Sequence, residues 1–186
     1  PIRDRLQSPE TRIKQREQQL SEANTLQNRL ALVREYKQQE RFAEAEAALE
    51  PALSGVFRDD PYVGYELAEL YFLQKDYQGS IEQSEHILAQ NAPFDLKPKL
   101  YLLLAESYSQ SDPLKAEDYF EKAIPQSLSE EARVKYIAFL LSQGQRVRAE
   151  DLIKEVKRSY QQASSLYKRE QKPWMGRLAE LEKSLS

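Results

Sequence analysis

Apolar residues along this chain recur at helical intervals. Between Leu26 and Val156 they fall three and four positions apart, in short runs separated by polar turns, the spacing of amphipathic helices that bury one face. The runs come in pairs. In the first member of each pair, three residues share a face: Leu32-Val33-Tyr36, Leu67-Ala68-Tyr71, Leu104-Ala105-Tyr108 and Tyr136-Ile137-Leu140. The second member carries a small residue early, at Ala45, Ser80, Ala116 and Ala149, where a close helix–helix crossing is expected. Four positions later stand Leu49, Ser84, Phe120 and Ile153, of which the polar Ser84 departs from the pattern. The small residues are 35, 36 and 33 positions apart, which makes the helix pair a repeating unit.

The segments 59–88 and 96–124 align directly: Pro61 with Pro98, Leu67-Ala68 with Leu104-Ala105, and Tyr71 with Tyr108. A one-residue deletion in the second turn then brings Ser80 onto Ala116. Breaks between paired helices are marked by Lys75-Asp76-Tyr77, Ser111-Asp112-Pro113 and Gln143-Gly144-Gln145. Pro61, Pro98 and Pro113 suit the first turn of a helix, where a missing N–H leaves nothing unsatisfied. At the start, Ser8-Pro9-Glu10 reads as a helix N-terminus leading into a polar helix with Ile13 and Leu20, which either runs on into the first pair or breaks near Ser21. At the end, 159–172 reads as a polar helix. Lys172-Pro173-Trp174-Met175 is expected to open a final helix whose Trp174, Leu178, Leu181 and Leu185 seal the last hydrophobic surface.

Composition narrows the picture. Of 186 residues, 40% are hydrophobic and 31% charged, with 5 Gly and 9 Pro, the balance of a helical protein. With no Cys, disulfides and thiolate metal sites are excluded. The net charge of −3 is unevenly placed: +3 over 1–41, −12 over 42–131 and +6 over 132–186. An acidic middle disfavours nucleic acid as a partner and favours a basic or apolar protein segment.

The stretches DYQGSIEQSEHIL, KAEDYFEKAI and RAEDLIKEV resemble the second-helix signature of the tetratricopeptide repeat (TPR) family. The resemblance covers about residues 26–160. It departs at Arg29, Gly64 and Arg133 in the first helices, at Ser84, and in the lack of Gly at most turns. It implies an all-α fold, a right-handed superhelical solenoid of about four helical hairpins over 26–59, 61–94, 98–129 and 130–160. An N-terminal cap or stalk (1–25) and a C-terminal capping region (161–186) flank the hairpins. It also implies a protein-binding scaffold whose concave groove is lined by the first helices. In that register the partner-binding residues are Arg34, Tyr62, Tyr65, Glu66, Glu69, Phe72, Lys99, Leu102, Glu106 and Lys135. Family members that clamp a C-terminal carboxylate use Lys, Asn and Arg at positions held here by Leu30, Arg34, Glu66, Lys99 and Leu103, so most of that clamp is missing.

Catalytic chemistry finds little footing. The single His, His86, lies within a repeat helix, and there is no phosphate-binding glycine loop and no nucleophile or zinc-hydrolase motif. Carboxylate pairs such as Glu66 with Glu69 and Glu117 with Asp118 look like solvated helix charges. The expectation is a non-enzyme with no cofactor and no metal. The start at Pro1 without Met raises a second expectation, a membrane-anchored assembly factor whose N-terminal signal or anchor is missing. The corresponding locations are the cytoplasm, or else a tether to the inner membrane or the periplasm. Self-association through the terminal helices is a further expectation.

Overall fold

A computed structural model describes residues 8–185. Residues 1–7 of the predicted N-terminal segment, and Ser186, lie outside the described residues. Among the latter the fold is all-helical, with ten α-helices: α1 (Pro9–Glu22), α2 (Leu26–Gln38), α3 (Phe42–Leu53), α4 (Pro61–Leu73), α5 (Tyr77–Ala89), α6 (Lys97–Tyr108), α7 (Pro113–Ala123), α8 (Glu131–Ser142), α9 (Arg146–Gln162) and α10 (Ser165–Lys183). A 3₁₀ turn, Ile124–Gln126, follows α7. The chain divides into two compact units, Pro1–Ser107 and Tyr108–Ser186.

The helix boundaries follow from capping chemistry. Ser8, Thr25, Asp60, Asp76, Asp112 and Ser164 each accept a backbone N–H of the helix they precede. Pro9, Pro61 and Pro113 sit in first turns. Three hairpins reverse through the same device. Glu40, Lys75 and Gly144 adopt left-handed backbone, with φ of 56°, 65° and 70°. In each, the next residue's N–H reaches back five positions: Arg41 to the Tyr36 carbonyl (3.0 Å), Asp76 to Tyr71 (2.8 Å) and Gln145 to Leu140 (2.8 Å). This pairing satisfies carbonyls that the helix end leaves open. After α6 the turn is one residue tighter. There the Tyr108 carbonyl accepts from Asp112, four positions on, at 2.9 Å. The deletion inferred from the sequence is thus absorbed in the turn.

In the first unit the core joins α1 to α4. Ile13, Leu30, Leu32, Val33, Tyr36, Ala45, Leu49, Ala52, Val63 and Leu70 form one buried cluster. The polar α1 ends at Glu22 and docks on α2. Ile13 enters the core, Tyr36 donates its hydroxyl hydrogen to Glu17 (2.6 Å), and Arg12 Nε meets Glu35 (2.8 Å). A second cluster gathers Ile87, Ala92, Leu96 and Leu100, with Tyr62 and Tyr65 packed against it.

In the second unit, Phe120, Tyr136 and Phe139 bring their rings together at centroid distances of 5.2 to 6.2 Å. The helix α10 lies against α8 and α9. It begins at Ser165, eight residues before Pro173, so Pro173 does not open the last helix. Ser164 caps it instead, and Pro173 lies inside it. A proline within a helix leaves the carbonyl four residues earlier, that of Arg169, without its helical donor. Leu178 is buried and Trp174 half-buried, with Lys135 Nζ 5.8 Å from the indole centroid.

The small positions behave alike in all four second helices: Ala45, Ser80, Ala116 and Ala149 are each 0% exposed. Their later partners Leu49, Ser84, Phe120 and Ile153 are all buried too. Ser84 keeps the burial of the pattern but not its chemistry, because its hydroxyl has no hydrogen-bond partner among the described residues.

Candidate functional site

The ten residues read from the sequence as partner-binding do not share one unit. Nine lie in Pro1–Ser107, and Lys135 lies in Tyr108–Ser186. Lys135 forms an ion pair with Glu131 one turn earlier (2.9 Å). In the first unit α2 and α4 are neighbours, so two first helices do lie side by side.

Their facing side chains form a charged network. Glu66 accepts from Arg34 Nε on one oxygen and from Lys37 Nζ on the other, and Lys37 also meets Glu69. The side chains of Lys37 and Glu66 are 4% and 1% exposed, whereas Arg34 is 53% exposed. Tyr65 donates its hydroxyl hydrogen to the other Glu69 oxygen at 3.3 Å. Two cations and two carboxylates therefore face one another, and these four side chains carry no net charge. Glu66 is spent inside the protein. What remains at the surface is the Arg34 guanidinium, part of Glu69 and part of the Tyr65 ring.

Lys37 is the member that sequence reasoning missed. It lies three residues after Arg34, on the same helical face, and that spacing was its only signal. Its pairing with Glu66 and Glu69 crosses about 30 residues of chain and depends on α2 meeting α4.

The remaining predicted residues have local roles. Tyr62 bridges the start of α4 and the loop before α6, donating to Asp95 Oδ1 (3.0 Å) and Oδ2 (3.1 Å). The Asp95 hydrogen bond, helped by burial, raises its hydroxyl pKa. Phe72 packs on Tyr77 across the second hairpin turn, with ring centroids 5.6 Å apart. Leu102 and Glu106 are half-buried on α6, and Lys99 is exposed there.

His86 is exposed on α5, with Nε2 2.8 Å from Gln90 Nε2. Among the described residues no group of His, Asp and Glu is placed to hold a metal ion, and no helix is long and apolar enough to cross a membrane. No family model matches the chain, and no curated protein matches it.

Proposed function

We propose that this chain is a protein-binding scaffold of the TPR type, an α-solenoid that takes a partner segment along its first helices. The observation that carries this reading is the repeated hairpin. Four second helices bury a small residue at the same register, and three hairpins reverse through the same left-handed turn. A repeated unit that cannot bury its own apolar face stacks on its neighbours, and stacking leaves an extended surface of like helices. On that surface the first unit offers a cation, a tyrosine and a shared carboxylate, groups suited to holding a peptide by mixed contacts.

The internal pairing of Glu66 and Glu69 changes the partner expected at this face. A basic segment gains less there than the bare sequence implies, because Lys37 and Arg34 already occupy those carboxylates. The segment that fits is apolar or of mixed charge, laid across Arg34 and Tyr65.

Site-specific photo-crosslinking tests the reading. A benzophenone side chain at exposed Gln27 or Lys99 on the first helices is compared with one at exposed Glu46 on α3. Crosslinks to one protein from Gln27 and Lys99, absent from Glu46, are the expected result. Crosslinks from Glu46 alone would place binding on the opposite face and sink the proposal.

A further inference from the structure

A cleft of about 430 Å³ opens within the first unit, away from the α2–α4 charge network. Its floor is apolar, formed by Leu53, Leu67 and Ile87, and its walls are amide and imidazole groups from Gln83, His86 and Gln90. The size lies within the range of sites that hold small ligands or single peptide anchors.

One position of the lining departs from the other hairpins. Three residues before Leu67, where the other first helices carry Arg29, Tyr101 and Arg133, this hairpin has Gly64. In the first hairpin Arg29 spans the matching gap and donates to the Ala48 carbonyl at 2.8 Å. At Gly64 the side chains of Gln83 and Ile87 take the matching space instead: an added Cβ would lie 2.9 Å from Gln83 Nε2 and 3.1 Å from Ile87 Cδ1. The frame is preformed. Asp60 accepts from the Tyr62 and Val63 N–H groups, and Tyr62 ties α4 to Asp95 in the loop beyond.

Two features set the chemistry of an occupant. The first is charge. Among the cleft's lining residues Asp59 and Asp60 stand against Arg58, which pairs with Asp59 at 3.5 Å, so the lining keeps a net negative charge. Leu53 at the end of α3 and Gln90 just after α5 also line the cleft, and helix C-termini favour positive charge, against the one α4 N-terminus that opens there under its Asp60 cap. The second is exposed apolar surface on the two loops that flank the cleft: Val56 at 93%, Phe57 at 41% and Phe94 at 82% exposure. Large side chains so exposed at the rim of a pocket mark a contact surface.

We infer that this cleft binds an extended peptide segment of a partner protein, one carrying an apolar side chain beside a Lys or Arg. The apolar side chain meets Leu53, Leu67 and Ile87, the amide walls hold the peptide backbone, and the neighbouring cation meets the rim carboxylates. The site is separate from the α2–α4 face and stands without it.

Heptapeptides displayed on phage are selected on the full chain. Enriched peptides are then titrated by fluorescence anisotropy against the wild type and three variants at exposed positions, each checked for its helical spectrum. His86→Trp fills the cleft, Asp59→Lys reverses a rim charge, and Lys99→Glu alters α6 outside it. Enriched peptides are expected to pair an apolar residue with Lys or Arg. They should lose about ten-fold in affinity to His86→Trp and about three-fold to Asp59→Lys, with Lys99→Glu unchanged. Failure to enrich any peptide, or peptides indifferent to His86→Trp, overturns the inference. Peptides lost only in Lys99→Glu also overturn it, while favouring the first-helix surface.

Discussion

Lys37 and Glu66 form an ion pair in the interface of α2 and α4, where both side chains are almost wholly withdrawn from solvent. Withdrawing two charges from water is expensive, and their attraction offsets that expense only while both are present. Removing Lys37 leaves Glu66 with the exposed Arg34 alone, and removing Glu66 leaves Lys37 with the half-exposed Glu69 alone. Lys37→Met should therefore destabilise the protein by about 3 kcal/mol, and Glu66→Leu by a similar amount. The double variant should lose less than the two single losses combined. Urea unfolding of the four proteins gives the coupling directly. Additive losses would mean that the pair does not interact in solution.

Ser84 makes the opposite prediction. Its hydroxyl is buried without a partner at a position that elsewhere carries Leu49, Phe120 or Ile153. Ser84→Ala removes the stranded hydroxyl with almost no change of shape and should raise stability by about 1 kcal/mol. The measurement is a thermal melt. A lowered melting temperature would show that the hydroxyl is hydrogen-bonded after all.

The left-handed turns offer a paired test. Gly144 has the residue suited to its backbone, whereas Lys75 holds a φ of 65° with a side chain attached. Lys75→Gly should stabilise by up to about 1 kcal/mol, and Gly144→Ala should destabilise by about the same. Equal and unchanged denaturation midpoints in both would remove the left-handed geometry as an energetic factor.

Three tyrosines link stability to alkaline pH. Burial and a hydrogen bond to a glutamate push Tyr36, Tyr136 and Tyr167 up to about 12. In the unfolded chain the same phenols ionise near 10. A group raised in the folded state contributes stability that is complete below the unfolded value and lost as pH rises through the folded one. The denaturation midpoint should therefore fall between about pH 10 and 12. Replacing all three by Phe should flatten that fall relative to the wild type. Phenolate absorbance should show these three ionising above the range of a free phenol.

Glu130 anchors α10. Its backbone N–H donates to Gln171 Oε1 at 2.9 Å, and its carboxylate accepts from the Tyr167 hydroxyl at 2.9 Å. Gln171→Ala leaves that buried N–H unpaired, at a cost of about 1 to 2 kcal/mol. Faster amide exchange at Glu130 and earlier proteolysis near Ala163 are expected. Exchange identical to wild type would show that α10 is held by other contacts.

The hairpins were legible in the sequence because they rest on local rules. Period, capping residues and the spacing of Ala45, Ser80, Ala116 and Ala149 all report short-range packing. Even the tighter turn after α6 was written as a deletion. The last helix was misread because Pro173 is a strong start signal, while Ser164, the actual cap, sits in a polar stretch without one. The charge network was only half legible. Glu66 and Glu69 stood out as surface acids, but whether a carboxylate meets solvent or Lys37 depends on which helix lies opposite, and no local pattern encodes that.

The reversal of each hairpin is closed by hydrogen bonds spanning no more than five residues, so a hairpin carries its own instructions for turning back. A copy of the gene segment for one hairpin brings the turn along with both helices, whereas a gain or loss of one residue is taken up at the turn, as between Tyr108 and Pro113. The turn and the two helices it joins are thus specified together, and the four small buried positions mark where each pair closes.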